Sequence, residues 1–332
     1  MEKISTWIIT LSAFFLSLLS IIYLLNQKSP EPATPAETLK VMTYNIHQGF
    51  NNAGKVDPTL FLRAIQTENP DLLGLQESDT NRVISSNYDL VRWLANKLGM
   101  YSYFGPKTKD NIYGVALLSK YPLEKTNTIF LESVADQRVV IEAHVQYQGT
   151  SVHVMVAHLG LSVEDRFNQT RYLWENVLKK LSEPTILMGD FNTVDWEDFA
   201  DEQAPLHHQG SFWYSHHHKE YEDRLAESRK KHIMERAAEA GFHGMSSFRE
   251  YMTDTWRLMN PGNFSAFTWF DTNEKLGVPY ERLSPSVRID YVYASDHFKV
   301  IESHILNDRN TLQASDHLPL ISHLKFDNFQ KL

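Results

Sequence analysis

The chain contains no cysteine. That absence excludes a disulfide framework and any thiolate metal centre, so a bound metal has to be held by carboxylates, amides or imidazoles. It also removes the usual indicator of redox compartment. A basic excess is lacking too: 32 Lys and Arg stand against 41 Asp and Glu, a formal charge of −9. Such a balance argues against broad adhesion to nucleic acid or anionic lipid, while leaving room for a local basic groove. No internal repeat is present, and neither a small-x-small cleavage signal nor a lipobox cysteine follows the N-terminal apolar run.

That run is the first positive feature. Trp7 to Leu25, WIITLSAFFLSLLSIIYLL, is uncharged throughout. As a helix it measures roughly 28 Å at about 1.5 Å per residue, close to the hydrocarbon thickness of a bilayer. Trp7 and Tyr23 stand near its ends, where interfacial aromatics sit. A buried core helix and a cleaved signal peptide are the rival readings; position, length and the polar sequence that follows favour an uncleaved single-pass anchor. Lys3 and Lys28 nearly cancel, so charge sets the orientation only weakly. Asn26 to Thr38 reads as a Pro-spaced linker. The organisation expected is a membrane anchor over residues 1–25, a linker over 26–38 and one domain over 39–332.

Within that domain, Leu39–Ile46 and Asp71–Glu77 read as strands, with a helix between them that Asp57 caps and Pro58 opens. Asp89–Leu98 carries Leu90, Leu94 and Leu98 at helical spacing, and GVALLS is another buried strand. RVVIEAHVQY and SVHVMVAHL form a hairpin across QGT, with Val152, Val154, Val156 and His158 on one face. A helix from Asp165 to Leu181 leads into TILMGD. Beyond Asn192 the pattern loosens into a His- and aromatic-rich stretch, His207–Tyr221, and a mixed-charge helix near Glu220–Ala240. Adjacent histidines rarely converge on one ion, so ordinary surface packing and a substrate-side or membrane-facing loop both stand ahead of a second metal site there. Arg288–Ser295 and Leu318–Phe326 close the chain as strands. Strands outnumber the helices that fall between them, which predicts an α/β fold with two stacked sheets flanked by helices.

The chemistry is written at strand ends. Asn45, Glu77, His158, Asp190, Asn192, Asp290, Asp316 and His317 each have a bland explanation alone, as turns, exposed strand ends or loops. Together they recur at the C-terminal ends of successive strand-like runs, where a sheet-based fold gathers its functional loops. Glu77, with Asn45 and Asp316, offers the hard oxygen ligands that Mg2+ prefers. A metal so placed can polarise a phosphoryl oxygen and stabilise the leaving oxygen. Asp190 and Asn192, one residue apart in an extended chain, are expected to project to the same side. There the carboxylate can orient or deprotonate a water while the amide donates to a phosphoryl oxygen. His317 can serve as a phosphate-side donor or as general acid or base, with Asp290 fixing its tautomer, and His158 can protonate the leaving group.

TYNI, LQES, YGVALLSKYP, AHLG, GDFN, RIDYVYAS and SDHLPL follow one another in the order and approximate spacing of the endonuclease/exonuclease/phosphatase superfamily, which residues 39–326 resemble. The resemblance implies a four-layer α/β sandwich of two stacked mixed sheets, here behind an N-terminal transmembrane helix. It also implies phosphoester hydrolysis dependent on Mg2+ or Mn2+, with the roles above carried onto the matching positions. Tyr113, directly before GVALLSK, resembles the phosphate-contacting Tyr of the abasic-site enzymes, and Arg138 resembles a phosphate-contacting Arg. His158 has no counterpart in the abasic-site group and points to the deoxyribonuclease and sphingomyelinase branches. The stretch from GLQES to KYPLEK is similar to the C-terminal luminal domain of proteins that remodel the lipid of GPI anchors. Those domains often lack parts of the catalytic set, whereas here it is complete. The expected function is that of a membrane-anchored, extracytoplasmic phosphodiesterase whose substrate is a phospholipid or lipid-linked head group. A tethered nuclease acting on DNA or RNA is the alternative, and a non-catalytic adaptor retaining the fold is a lesser one.

Overall fold

In the computed structural model the β-rich runs pair into two sheets, each six-stranded among the described residues. Those residues are 2–25, 29–80, 82–83, 87–106, 112–134, 136–193, 242, 244–263, 266–270 and 287–327. The first sheet contains β1 (Leu39–Asn45), β2 (Leu72–Asp79), β3 (Tyr101–Pro106), β4 (Tyr113–Ser119), β11 (Phe298–Ile305) and β12 (Leu320–Phe326), in the order β11-β12-β1-β2-β4-β3. The second contains β5 (Leu123–Leu131), β6 (Arg138–Tyr147), β7 (Thr150–His158), β8 (Thr185–Asp190), β9 (Met252–Asp254) and β10 (Asp290–Ser295), in the order β5-β6-β7-β8-β10-β9. Among the described residues the helices are α1 (Glu2–Leu25), α2 (Pro58–Glu68), α3 (Leu90–Leu98), α4 (Val163–Asn176), α5 (Thr255–Met259) and α6 (Arg309–Ala314).

Both sheets are mixed. β1 and β2 run parallel in one, β7 and β8 in the other, and each parallel pair needs a crossover. α2 supplies the first and α4 the second. Their starts are fixed by side chains: Asp57 accepts from the Thr59 backbone N–H at 3.1 Å with Pro58 opening α2, and Ser162 accepts from Asp165 N–H at 3.0 Å. Between the sheets, Val41, Leu72 and Leu117 of the first meet Ile141, Val156, Ile186 and Val292 of the second. Met42, Leu73 and Ala116 turn the other way, onto Phe61 and Ile65 of α2 and Leu94 of α3. Met155 and Leu187 likewise face Leu173 and Trp174 of α4. The layers therefore run helix, sheet, sheet, helix, as period-two alternation in buried strands requires.

The chain divides into two compact units, Met1–Glu31 and Pro32–Leu332. The later part of the expected linker thus belongs to the domain. Ala33 N–H donates to the Lys120 carbonyl at 3.1 Å, and Tyr147 Oη donates to the Ala36 carbonyl at 2.7 Å. The helix expected to run from Asp165 to Leu181 starts two residues earlier, at Val163, and ends at Asn176; a 3-10 turn, Leu178–Lys180, follows. Glu2–Leu25 does form one helix. Among the described residues no helix is long and apolar enough to cross a membrane; the side chains at positions 2–6, 8, 9 and 23–25 of α1 lie outside those described. The His207–Tyr221 stretch and the Glu220–Ala240 helix also lie outside the described residues.

One glycine sets how closely the central parallel pair can approach. Gly189 has φ +149°, and a Cβ built on it would stand 2.0 Å from the Ala157 carbonyl oxygen of β7, backbone that cannot yield. Gly189→Ala is expected to cost about 3 kcal/mol or more. Gly54→Ala, also at positive φ but with nothing within 4 Å of an added Cβ, is expected to cost about 1 kcal/mol. Urea unfolding midpoints of the two variants check the difference.

Candidate active site

Strand register assembles half of the site without any help from loops. His158 lies opposite Asp190 across the parallel β7–β8 pair, and Asp190 lies opposite Asp290 across the antiparallel β8–β10 pair. Arg138 opens β6 one row beyond, where Val139 pairs with His158. The other sheet contributes Asn45 from the end of β1 and Glu77 from β2. Asp316 and His317 arrive on the segment before β12, which Ser315 ties to β1. Its hydroxyl donates to the Asn45 carbonyl at 2.8 Å and accepts from His317 N–H at 3.1 Å. Thr268 Oγ1 accepts from the backbone N–H of both Ile289 and Asp290, each at 3.0 Å, and so fixes the start of β10.

Asp190 is the hub. Its Oδ2 accepts from Asn45 Nδ2 at 3.0 Å and lies 3.6 Å from His158 Nε2 and 3.8 Å from His317 Nε2. His317 Nδ1 meets Asp290 Oδ2 at 2.8 Å, the tautomer-fixing contact that carboxylates make in His-based sites. Burial, and then the charge of Asp290, push Asp190 up to about 7 against the pull of His317. Burial opposes charge on His317, but Asp290 and Asp190 outweigh it and raise the imidazole to about 10. At neutral pH, then, Asp190 exchanges a proton easily while His317 keeps its own.

Two expectations change in detail. Asp190 and Asn192 were expected to share a side because the chain is extended there, but β8 ends at Asp190 and Asn192 has φ +48°. The chain turns, and Asp190 Oδ1 closes the turn by accepting Asn192 N–H at 2.9 Å. Asn192 Nδ2 then donates to the Leu159 carbonyl at 3.0 Å, which leaves one amide hydrogen for another acceptor. The proton-donor role expected of His158 does not fit this arrangement. Its Nε2 lies 2.9 Å from Arg138 Nη1, and a guanidinium can only donate, so that nitrogen accepts and carries no proton.

Asn45 presents Nδ2 to Asp190 and, at 3.4 Å, to Glu77 Oε1, while its Oδ1 accepts from His47 N–H at 3.1 Å. It acts here as a donor among acids, leaving Glu77 and Asp316 as the carboxylates of the expected oxygen set. Glu77 sits at φ +50° where the β2–β4 register shifts between Leu75 and Ser78. That bulge takes its carboxylate out of the pleat alternation and delivers it to the site. Two residues that the sequence reading did not single out hold it there. Gln48 Nε2 donates to Glu77 Oε2 at 3.2 Å, and Arg82 Nη1 donates to Gln48 Oε1 at 2.8 Å and to Asp79 Oδ1 at 3.0 Å. Arg82 also lies 5.1 Å over the ring of Tyr113, whose phenol is raised well above its ordinary range by burial and then by Glu77. Only a residue's place just after LQES could have marked Arg82 in the sequence.

The donor chemistry suits a divalent cation. Asp190, Asp290 and His317 bring ligand atoms within 4.8 Å of one another and could hold a metal ion. Asp290 Oδ1 is buried and makes no hydrogen bond, so it has a lone pair to give. With Nδ1 held by Asp290 at 2.8 Å, His317 would offer such an ion its Nε2. Glu77 and Asp316 (side chain 24% accessible) are partly exposed and offer further carboxylate oxygens.

Removing the partner of His317 tests this electrostatic account. Asp290→Asn should lower the His317 pKa from about 10 toward the ordinary histidine value of about 6.5. A pH series of long-range 1H–15N correlation spectra of the histidine side chains reads the change, and a His317 titration left unmoved would overturn it.

Comparison with known proteins bears on what this arrangement belongs to. Residues 36–202 match the family described as PGAP2IP, C-terminal nuclease-like domain. Protein cwh43 of Schizosaccharomyces pombe is 30% identical over 186 residues, covering 54% of this chain and 19% of that protein, so the chain spans about a fifth of this relative's length. Three solved structures share the fold. An endonuclease/exonuclease/phosphatase from Beutenbergia cavernae has 24% identity and a TM-score of 0.59 over 88% of this chain and 72% of its own. The human Nocturnin catalytic domain with bound sulfate has 20% identity and a TM-score of 0.55 over 89% and 97%. D. rerio TDP2 complexed with single-strand DNA product has 13% identity and a TM-score of 0.58 over 87% and 100%. Matched from residue 36 to residue 202, about half its length, the chain belongs to the family of the PGAP2IP C-terminal nuclease-like domain, on the endonuclease/exonuclease/phosphatase fold.

Proposed function

We propose that the chain is a membrane-anchored phosphodiester hydrolase dependent on Mg2+ or Mn2+, acting outside the cytoplasm on a phospholipid or lipid-linked head group. The observation that carries the hydrolytic reading is the buried Asp190 carboxylate, brought up to about 7 and surrounded by Asn45, His158 and His317. Deprotonated Asp190 takes a proton from the attacking water. Protonated His317, held by Asp290, donates to a phosphoryl oxygen, and the remaining Asn192 amide hydrogen supplies a second donor. Arg138 serves the phosphate as well: its Nε is buried and makes no hydrogen bond, so it has a donor in hand. Tyr113 remains a neutral phenol donor under this reading. A divalent cation bound by Glu77 and Asp316, with Asn45 beside them, would polarise a phosphoryl oxygen and stabilise the leaving oxygen.

The lipid reading rests on the family and on α1. The family's domain resembles that of GPI-lipid remodelling proteins. In α1, Trp7, Leu11, Phe14, Phe15, Leu16 and Ile22 are exposed, which suits apolar surroundings other than a protein core. A tethered nuclease is the second reading, favoured by the nuclease-like family description and by the DNA product held in the TDP2 structure. The net charge of −9 weighs against it, because phosphate-backbone binding draws on clustered basic residues.

Residues 32–332, the compact unit, should be assayed with Mg2+ against sphingomyelin-type lipids, plasmid DNA, RNA and bis-p-nitrophenyl phosphate. Lipid turnover is expected; DNA cleavage with no lipid turnover would refute the lipid reading. Glu77→Gln, Asp190→Asn and His317→Ala should each lower kcat by at least about 100-fold. Activity is expected to rise as Asp190 loses its proton near pH 7 and fall as His317 loses its own near pH 10. The two limbs belong to the coupled set rather than to either residue alone.

A further inference from the structure

At the other end of the strands that carry Arg138, His158 and Asp190, a second group of metal-ligating side chains meets. His144 of β6 lies directly opposite His153 of β7, and their rings stack with centroids 4.8 Å apart and planes 9° apart. β7 continues the contact into the next strand, where His153 pairs with Thr185 and its N–H donates to the Pro184 carbonyl at 2.8 Å. Glu183 therefore arrives beside the pair. His144 Nε2 lies 3.2 Å from Glu183 Oε1, and His153 Nε2 lies 3.1 Å from Glu142 Oε2. His153 stands five residues before His158, roughly 17 Å away at about 3.3 Å per strand residue, so this group is separate from the candidate active site.

The donor set and its geometry suit a cation. Burial, ahead of the opposing pull of Glu142, lowers the pKa of His153 and favours its neutral, metal-ligating form. Glu142 and Glu183 set two carboxylates against the rings, both of which are largely covered. His144 Nδ1 is buried without a hydrogen-bond partner. Distances fit as well. A tetrahedral ion with bonds of about 2.0–2.1 Å places its ligand atoms about 3.3 Å apart, close to the 3.1 and 3.2 Å edges already present. One ligand atom each from His144, His153 and Glu183 lies within 4.8 Å of the others. Because imidazole lone pairs lie in the ring plane and the two planes are only 9° apart, binding requires a ring to turn out of the stack so that both nitrogens face one ion.

We propose that His144, His153 and Glu183, with Glu142 as a fourth ligand, form a structural binding site for a borderline divalent cation of the Zn2+ type. Imidazole donors select such ions over Mg2+, which prefers all-oxygen sites. An ion there would pin β6 to β7 and both to the start of β8.

The test is zinc titration of the full chain in detergent with excess Mg2+ present. His207, His208, His216, His217 and His218 are changed to Ala so that they do not bind zinc themselves. One zinc per chain is expected, with a raised thermal midpoint and an X-ray absorption spectrum showing two imidazole ligands. His144→Gln and His153→Gln should each weaken zinc binding at least about ten-fold, and Glu183→Gln less. No zinc uptake by the starting protein, or affinity within about two-fold of it in folded His153→Gln, would overturn the site. Should the His variants not fold, Glu183→Gln, whose side chain is 43% exposed, and the ligand count in the absorption spectrum still decide; a spectrum without imidazole overturns the site. None of these readouts measures hydrolysis, so the outcome is independent of the catalytic reading.

Discussion

A carboxylate withdrawn from water is costly unless it is protonated or well hydrogen-bonded, and Asp190, 1% exposed, is withdrawn at the point where both sheets end. Its surroundings meet that cost only partly. Asn45 and the Asn192 backbone each donate one hydrogen bond, and the nearby Asp290 keeps the negative form from being fully comfortable. The result is an acid balanced near neutrality. Everything around it follows from holding that balance: the crossovers that bring the ends of β1, β2, β7 and β8 together, the Asp290–His317 pair, and the Gly189 approach that lets β8 lie close to β7. A looser sandwich would let water in, and Asp190 would return to the range of an ordinary carboxylate.

Most of this was legible in the sequence for one reason. Buried strands leave few polar residues, so the polar residues that remain at their ends stand out. Asp190, Asp290, His158 and His317 were visible in that way, as were the Asp57–Pro58 helix start and the Arg138–His158 hairpin. What local pattern does not carry is how a chain leaves a strand. Asn192 was expected on an extended chain and instead occupies a left-handed turn that its own neighbour closes. Gln48 and Arg82 escaped because they act on Glu77 rather than on a substrate, and their meeting depends on a bulge in β2. Short edge elements such as Met252–Asp254 were missed because three residues show no period.

The two sheets divide the work. The second supplies Asp190, Asp290 and His158 in one register row, while the first supplies Asn45 and Glu77 and, through the segment before β12, Asp316 and His317. Neither sheet holds a working set alone, so the interface between them, filled by Val41, Leu72, Ile141, Val156 and Ile186, is as much a part of the candidate site as the polar residues. Side chains deep in that interface set distances at its rim, because packed interiors transmit displacement rather than absorb it.

Glu77 occupies a backbone conformation that glycine or asparagine would adopt with less strain. A lineage selected for folding alone would drift toward one of those residues at this position. A long acidic side chain there puts a carboxylate oxygen where an unstrained residue would put none. Exchanging Glu77 for glycine would ease the backbone while removing a carboxylate oxygen from the candidate site, so stability and site chemistry pull in opposite directions at this one position.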